Sequence, residues 1–282
     1  MAFADHDEYR TPPDRRPGLV PRLCPWPELP FYARVLWIVG RSRLEVARGV
    51  YDGAHWAKSS EDIVRALEWV GVKLTIEGMD VLRRFEGPAV FVGNHMSTLE
   101  TFVLPAVIQP VKPATFVVKE SLLAYPWFGP ILGSRDPIAV GRRSPREDFT
   151  KVLREGTDRI GRGMSVIVFP QTTRSDELRL DRFNSIGAKL AARAGVPLVP
   201  VALRTDAWGN GRRLKDFGPV RPDRPVRFRF GPPIVPERRG LAAQEACVAF
   251  LRDTLKEWGV RVVEGAEDYF SRTSSPASGS RV

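Results

Sequence analysis

Histidine is scarce in this 282-residue chain, and one of its three copies stands where proton transfer is chemically reasonable. The segment Gly93-Asn94-His95-Met96-Ser97-Thr98-Leu99-Glu100 joins an apolar run to a helical pattern. An imidazole titrates near neutrality and can take a proton from a hydroxyl. It does so better when a carboxylate holds its second nitrogen, fixing the tautomer and stabilising the imidazolium. Glu100 is the candidate carboxylate. A separation of five places the two side chains on different faces of a regular helix, so the pairing needs His95 in the turn and Glu100 in the first helical turn. A second reading stays open: Ser97 and Glu100 have the spacing of a capping box, in which Glu100 only closes a helix end. His6 and His55 have no comparable setting.

Three further segments stand out, two of which carry polar groups at the end of apolar runs. Gly133 to Arg143 delivers the basic pair Arg142-Arg143 into a loop, which reads either as an anion site or as a solvated turn. Val166-Ile167-Val168-Phe169 ends in Pro170-Gln171-Thr172-Thr173-Arg174, where an arginine and backbone N–H groups can bind a phosphate; an ordinary strand exit is the plain alternative. Ala194 to Leu203 contains no proton-transfer group and reads as a buried strand with proline-shaped ends.

These segments need elements to hold them. Short apolar strands are expected at Lys73–Glu77, Ala89–Gly93, Ala114–Lys119, Ile138–Val140, Ser165–Phe169, Leu198–Leu203 and Val226–Phe230. Helices are expected at Thr98–Val107, Pro145–Gly161, Ser185–Ala194 and Leu241–Trp258. Such alternation indicates an α/β layered domain, whose ligands gather where strands end and loops begin. Ahead of it, residues 28–70 read as helical, with a second helix from about Ser60 to Val70. Phe31, Val35, Trp37, Ile38 and Val39 form an apolar cluster bordered by Arg34, Arg41 and Arg43. That face suits a membrane interface or the protein's own core. Residues 1–25 are proline-rich with alternating charges and are expected to be a disordered arm; 26–70 form the helical segment, 71–262 the α/β domain and 263–282 a mostly disordered tail.

Composition narrows the classes. The net charge of +10 comes from 35 Arg and 8 Lys, against 33 acidic residues, an excess that suits phosphate-bearing partners or simply solvated faces. No recognition motif or basic–aromatic platform supports nucleic-acid binding. Cys24 and Cys247 belong to no motif, and no cluster has metal-ligand spacing. The first twenty residues lack the apolar stretch of a signal peptide, and no apolar run is long enough to span a bilayer. The expected location is therefore the cytosol, soluble or peripheral.

In order and spacing the four segments resemble the glycerolipid acyltransferase family of the 1-acyl-sn-glycerol-3-phosphate (lysophosphatidic acid) type. That family carries Asn-His-x-x-x-x-Asp, a strand ending in Arg, Phe-Pro-Glu-Gly-Thr-Arg, and Val-Pro-x-x-Pro-Val. The matches here are Asn94-His95, Arg142, Phe169-Pro170 with Thr173-Arg174, and Val196-Pro197 with Pro200-Val201, within a similarity from about Val72 to Pro233. Two departures stand out: Glu100 replaces the Asp, and Gln171-Thr172 replace Glu-Gly, leaving less negative charge where the family contacts the acceptor.

The resemblance implies a single αβ acyltransferase domain with a mixed central sheet, preceded by an N-terminal two-helix membrane-docking segment. It implies His95 as general base with Glu100 as its partner, and Arg142 and Arg174 on the acceptor phosphate. Asn94, Gln171, Thr172 and Thr173 join the substrate-binding set, and Val196–Val201 would shape the acyl-binding region. No cofactor or metal is implied; acyl-CoA or an acyl carrier protein thioester is the co-substrate, and backbone N–H groups would stabilise the oxyanion. The implied partners are a lysophospholipid acceptor and an anionic membrane surface, and the implied place is the cytoplasmic face of the cell membrane, peripherally bound. Another lysophospholipid or glycerol derivative as acceptor, or a catalytically silent lipid-binding homologue, are the alternatives.

Overall fold

The computed structural model describes residues 3–26, 28–171, 173–211 and 215–264. Among the described residues ten strands run in chain order: β1 Tyr9–Arg10, β2 Leu74–Glu77, β3 Val90–Gly93, β4 Ala114–Lys119, β5 Ile138–Val140, β6 Ser165–Val168, β7 Leu178–Arg179, β8 Leu198–Arg204, β9 Val226–Phe230 and β10 Val262–Val263. The helices are α1 Leu19–Leu23, α2 Glu28–Ala47, α3 Gly53–Trp69, α4 Leu99–Ile108, α5 Gly129–Gly133, α6 Pro145–Gly161, α7 Ile186–Ala194 and α8 Leu241–Glu257.

Eight strands form one sheet in the order β1-β2-β9-β8-β3-β6-β4-β5. From β8 through β5 every neighbour is parallel, whereas β8–β9 and β1–β2 are antiparallel, so the sheet is mixed as expected. Its central strands are apolar on both faces because both are covered. Val90, Val92, Val166 and Val168 point into a cluster with α6, α7 and α8, while Phe91 and Ile167 point into a second cluster with α2, α3 and α4. Every expected strand and helix of the α/β part is present to within one residue at each end.

The N-terminal third departs from expectation. Residues 1–25 are not a disordered arm where described: β1 pairs with β2, Tyr9 opposite Ile76. The physical reason is Glu68, buried on α3. Its carboxylate accepts hydrogen bonds from Tyr9 Oη, from Thr11 Oγ1 at 2.7 Å and from Arg15 Nη2 at 3.3 Å. A buried carboxylate without such donors would be costly, so the arm is tied down.

Helix α3 begins at Gly53 rather than near Ser60, because Asp52 caps it by accepting from His55 N at 2.9 Å. Helices α2 and α3 share one hydrophobic cluster with the sheet and are part of the same core. On α2 the buried face is Phe31, Val35, Ile38 and Ser42, at helical spacing. Ile38 is 3% exposed and Trp37, one position on, 63%. The expected cluster thus splits between the interior and the surface. At the C-terminal end, β10 reaches Val263 and pairs with β7; residues 265–282, most of the expected tail, lie outside the described residues.

Candidate active site

The C-terminal ends of β3, β5, β6 and β8 converge on one place, and each contributes a loop to it. After β3 the chain turns through Asn94–Ser97 and enters α4. His95 Nδ1 lies 2.8 Å from Glu100 Oε1. Glu100 is wholly buried, and its other contacts explain how it is held: Met96 N and Ser97 N donate to Oε1 at 2.8 and 3.0 Å, and Thr205 Oγ1 donates to Oε2 at 2.7 Å. Both readings of Glu100 are therefore realised at once. It accepts from Ser97 N as in a capping box, and the same oxygen orients His95. Burial pushes the Glu100 carboxyl up, but the hydrogen bond and charge of His95 and the Thr205 hydroxyl outweigh it, and the pKa is lowered.

With Nδ1 against a carboxylate, the tautomer assigned to neutral His95 carries its proton there and leaves the Nε2 lone pair free. The ring is stacked on Phe169, centroids 4.5 Å apart and planes 6° from parallel. Its backbone is held as well: His95 N donates to Gln171 Oε1 at 3.3 Å and Ser175 N donates to His95 O at 2.9 Å. The turn after β6 thus buttresses the turn after β3.

The arginines come from the loops after β5 and β6. Arg142 sits in the left-handed region, φ 59°, uncommon for a residue with a side chain. Asp148, in the first turn of α6, holds that turn by accepting from Gly141 N at 3.0 Å and Arg142 N at 2.8 Å. Burial, and then the positive charge of Arg174, lower the Arg142 pKa, with Asp148 opposing. The two guanidinium groups thus act on one another, an arrangement that an anion between them would favour. Arg174 is paired on one side only: Nη2 lies 2.7 Å from Asp216 Oδ1, while Nη1 is buried with no hydrogen-bond partner among the described residues. Asp216 also accepts from Thr98 Oγ1 at 2.9 Å.

His95, Arg142, Thr173, Arg174 and Asp216 border a cavity of about 740 Å³. Its remaining wall is mainly apolar, from Val35 and Ile38 of α2, Trp56 and Ile63 of α3, Phe116 of β4, and Leu122, Trp127 and Phe128 before α5. The volume and lining suit a long apolar ligand with its polar end at His95.

Three expectations are corrected. Asn94 is not available to a substrate: Nδ2 donates to Leu203 O at 2.8 Å and Oδ1 accepts from Leu203 N at 2.9 Å, so the buried amide clamps β3 to β8. Gln171 is likewise buried and engaged, accepting from His95 N and donating through Nε2 to Glu177 O at 3.2 Å. A carboxylate there could not donate to that carbonyl, so the glutamine is fitted to its place. Val196–Val201 does not line the cavity; β8 is buried in the sheet between β3 and β9, and α2, α3 and the segment around α5 form the apolar wall instead. Thr172 lies outside the described residues. Thr205 and Asp216 were missed, since nothing in sequence spacing ties them to Glu100 or Arg174. Among the described residues, no three His, Cys, Asp or Glu side chains are grouped to hold a metal ion.

Known proteins with similar sequences and a similar fold are found. Residues 73–204 match the family model described as Acyltransferase. More particularly, the chain is 29% identical over 176 residues, 62% of its length, to a 1-acyl-sn-glycerol-3-phosphate acyltransferase of Pseudomonas aeruginosa, of which 60% is covered. It is 31% identical over 131 residues, 46% of its length, to the chloroplastic 1-acyl-sn-glycerol-3-phosphate acyltransferase LPAT1 of Arabidopsis thaliana, of which 36% is covered. The chain thus spans less than two thirds of these relatives' lengths. The crystal structure of the 1-acyl-sn-glycerophosphate acyltransferase PlsC from Thermotoga maritima shares the fold, with a TM-score of 0.61 and 20% identity over 84% of this chain and 97% of that one.

Proposed function

We propose that this protein transfers a fatty acyl group from an acyl thioester to the free hydroxyl of a lysophosphatidic acid-like acceptor in phospholipid biosynthesis. The observation that carries the reading is the His95–Glu100 pair, its imidazole facing an apolar cavity whose mouth holds Arg142 and Arg174. His95 Nε2 takes the proton of the acceptor hydroxyl, whose oxygen attacks the thioester carbonyl. The tetrahedral intermediate collapses with cleavage of the C–S bond, and the proton passes from His95 to the departing thiolate. Glu100 stabilises the imidazolium in between. Arg142 and Arg174 bind the acceptor phosphate, Arg174 through the unpartnered Nη1. No cofactor takes part; the donor is acyl-CoA or an acyl carrier protein thioester, and the acyl chain lies in the cavity.

The acceptor is a bilayer lipid, so we also propose peripheral binding at the cytoplasmic face of the cell membrane. No helix among the described residues is long and apolar enough to cross a membrane. Exposed Leu19, Leu23, Trp26, Leu36 and Trp37 on and beside α1 and α2 provide rings and aliphatic side chains for an anionic interface. Thioester release measured with lysophosphatidate and with a zwitterionic lysophospholipid tests the assignment. Release with lysophosphatidate is the expected result; release only with the zwitterionic acceptor would move the headgroup assignment, and none with either would remove the function.

A further inference from the structure

The apolar stripe of α2 ends in a hydroxyl. Ser42 continues the buried row Phe31, Val35 and Ile38, is 2% exposed, and faces the cavity. Its Oγ makes no well-formed hydrogen bond. It is not alone: Tyr51 and Ser59, both buried, also line the cavity, their hydroxyls 3.0 Å apart. This group lies away from the catalytic end. His95 stacks on Phe169, Phe169 contacts Phe116 at 6.1 Å between centroids, and Phe116 contacts Trp56 at 5.8 Å. Ser59 Oγ donates to Trp56 O at 3.0 Å. The hydroxyls are therefore three ring contacts along the wall from the proposed base.

The hydrogen-bond pattern shows what is left over. Ser59's proton goes to Trp56 O, so the Tyr51 phenol donates to Ser59 Oγ. The Tyr51 oxygen retains lone-pair capacity, and Ser42 retains its proton or its lone pairs according to its rotamer. Ser42 is near enough to Tyr51 to act on its ionisation: burial raises the phenol's pKa, and Ser59 and Ser42 oppose the rise. Ser42 Oγ is already shielded from solvent, and a plain alkyl chain lying against it would leave it unsatisfied, which is unfavourable. A chain with a hydroxyl could donate and accept at once.

We infer that the Ser42–Tyr51–Ser59 cluster is a specificity site for the donor, binding a hydroxyl on the outer part of a hydroxylated acyl chain. The inference rests on the proposed acyl-binding role of the cavity. It adds a substrate class that the catalytic end does not determine, because the cluster is remote from the reacting carbonyl.

The test is equilibrium binding of chain-matched free fatty acids to the full-length protein by isothermal titration. One ligand is saturated; the others carry a single hydroxyl at successive positions along the outer half. Wild type should bind at least one hydroxylated isomer about tenfold more tightly than the saturated acid, the scale of one buried hydrogen bond. In Ser42→Ala/Tyr51→Phe, which preserves side-chain bulk, that preference should fall to within about twofold, with the melting temperature confirming a folded protein. No preference at any position in wild type, or one retained by the double variant, overturns the inference. Acyl transfer with flat chain preference would refute this inference alone. A hydroxyl preference in a protein without transferase activity would refute the catalytic reading alone, and failure to bind any of the acids would refute the acyl role of the cavity together with this site.

Discussion

At one end of the cavity His95, Arg142 and Arg174 are carried by loops that follow parallel strands; at the other, Ser42, Tyr51 and Ser59 come from α2, α3 and the link between them. The first end is heavily cross-braced. Glu100 alone holds Met96 N, Ser97 N, Ser97 Oγ and Thr205 Oγ1 besides His95, and Gln171 and Asp148 fix the neighbouring turns. The second end is side chains on packed helices, with a hydroxyl left without a formed hydrogen bond. Reaction geometry needs the first kind of construction, since small displacements there cost rate. A wall that only accommodates a chain tolerates the second, and it can vary without disturbing the chemistry.

The comparison is most severely tested at Glu100. Glu100→Gln keeps the shape but removes the charge that stabilises the imidazolium, and turnover should fall by on the order of 10²-fold or more. A melt should fall too, because the carboxylate's hydrogen bonds, about 1.5–3 kcal/mol each to a charged group, are weakened. The pH dependence has a definite sign. The folded pKa of Glu100 is lowered, so its contribution to stability is present above the ordinary carboxylate pKa of about 4.3 and is lost as pH falls through the lower folded value. The melting gap between wild type and variant should therefore be full at neutral pH and narrow in acid. A variant with unchanged activity would leave Glu100 as a helix cap.

Arg142→Ala and Arg174→Ala should each raise the acceptor KM, by roughly 10- to 100-fold for a contact of about 1.5–3 kcal/mol, and change the donor KM little. Initial rates with each substrate varied in turn measure this; an acceptor KM that stays put in both removes the phosphate assignment. Ile38 and Trp37 then sharpen the division between wall and surface. Ile38→Ser should destabilise the fold by about 2 kcal/mol or more, as core truncations do. Trp37→Ser should alter stability by about 0.5 kcal/mol or less while weakening sedimentation with anionic vesicles. If Trp37→Ser leaves vesicle binding unaltered, that ring is not a membrane contact.

The braced end was also the legible end. His95, Glu100, Arg142 and Arg174 stand at fixed offsets from apolar runs, and a strand followed by a turn leaves few places for such residues to go. Other features depended on partners distant in the chain. Tyr9 and Thr11 look like a solvated arm until Glu68, 59 residues from Tyr9, is seen to require donors. Val196–Val201 is apolar enough to line a ligand cavity or a sheet, and only its place between β3 and β9 decides. Asn94 and Gln171 sit beside His95 and Arg174 in the sequence but bond to the backbone. A motif fixes the vicinity of a residue, whereas hydrogen-bond partners fix its job.

The central claim, that His95 is the base held by Glu100, is tested most directly by acceptor-dependent thioester release in His95→Ala beside a thermal melt. Removing a positioned acid–base group should lower turnover by roughly 10²- to 10⁴-fold. Glu100 would keep its contacts to Met96, Ser97 and Thr205, so the protein should remain folded. A folded His95→Ala protein with near wild-type turnover would contradict the account.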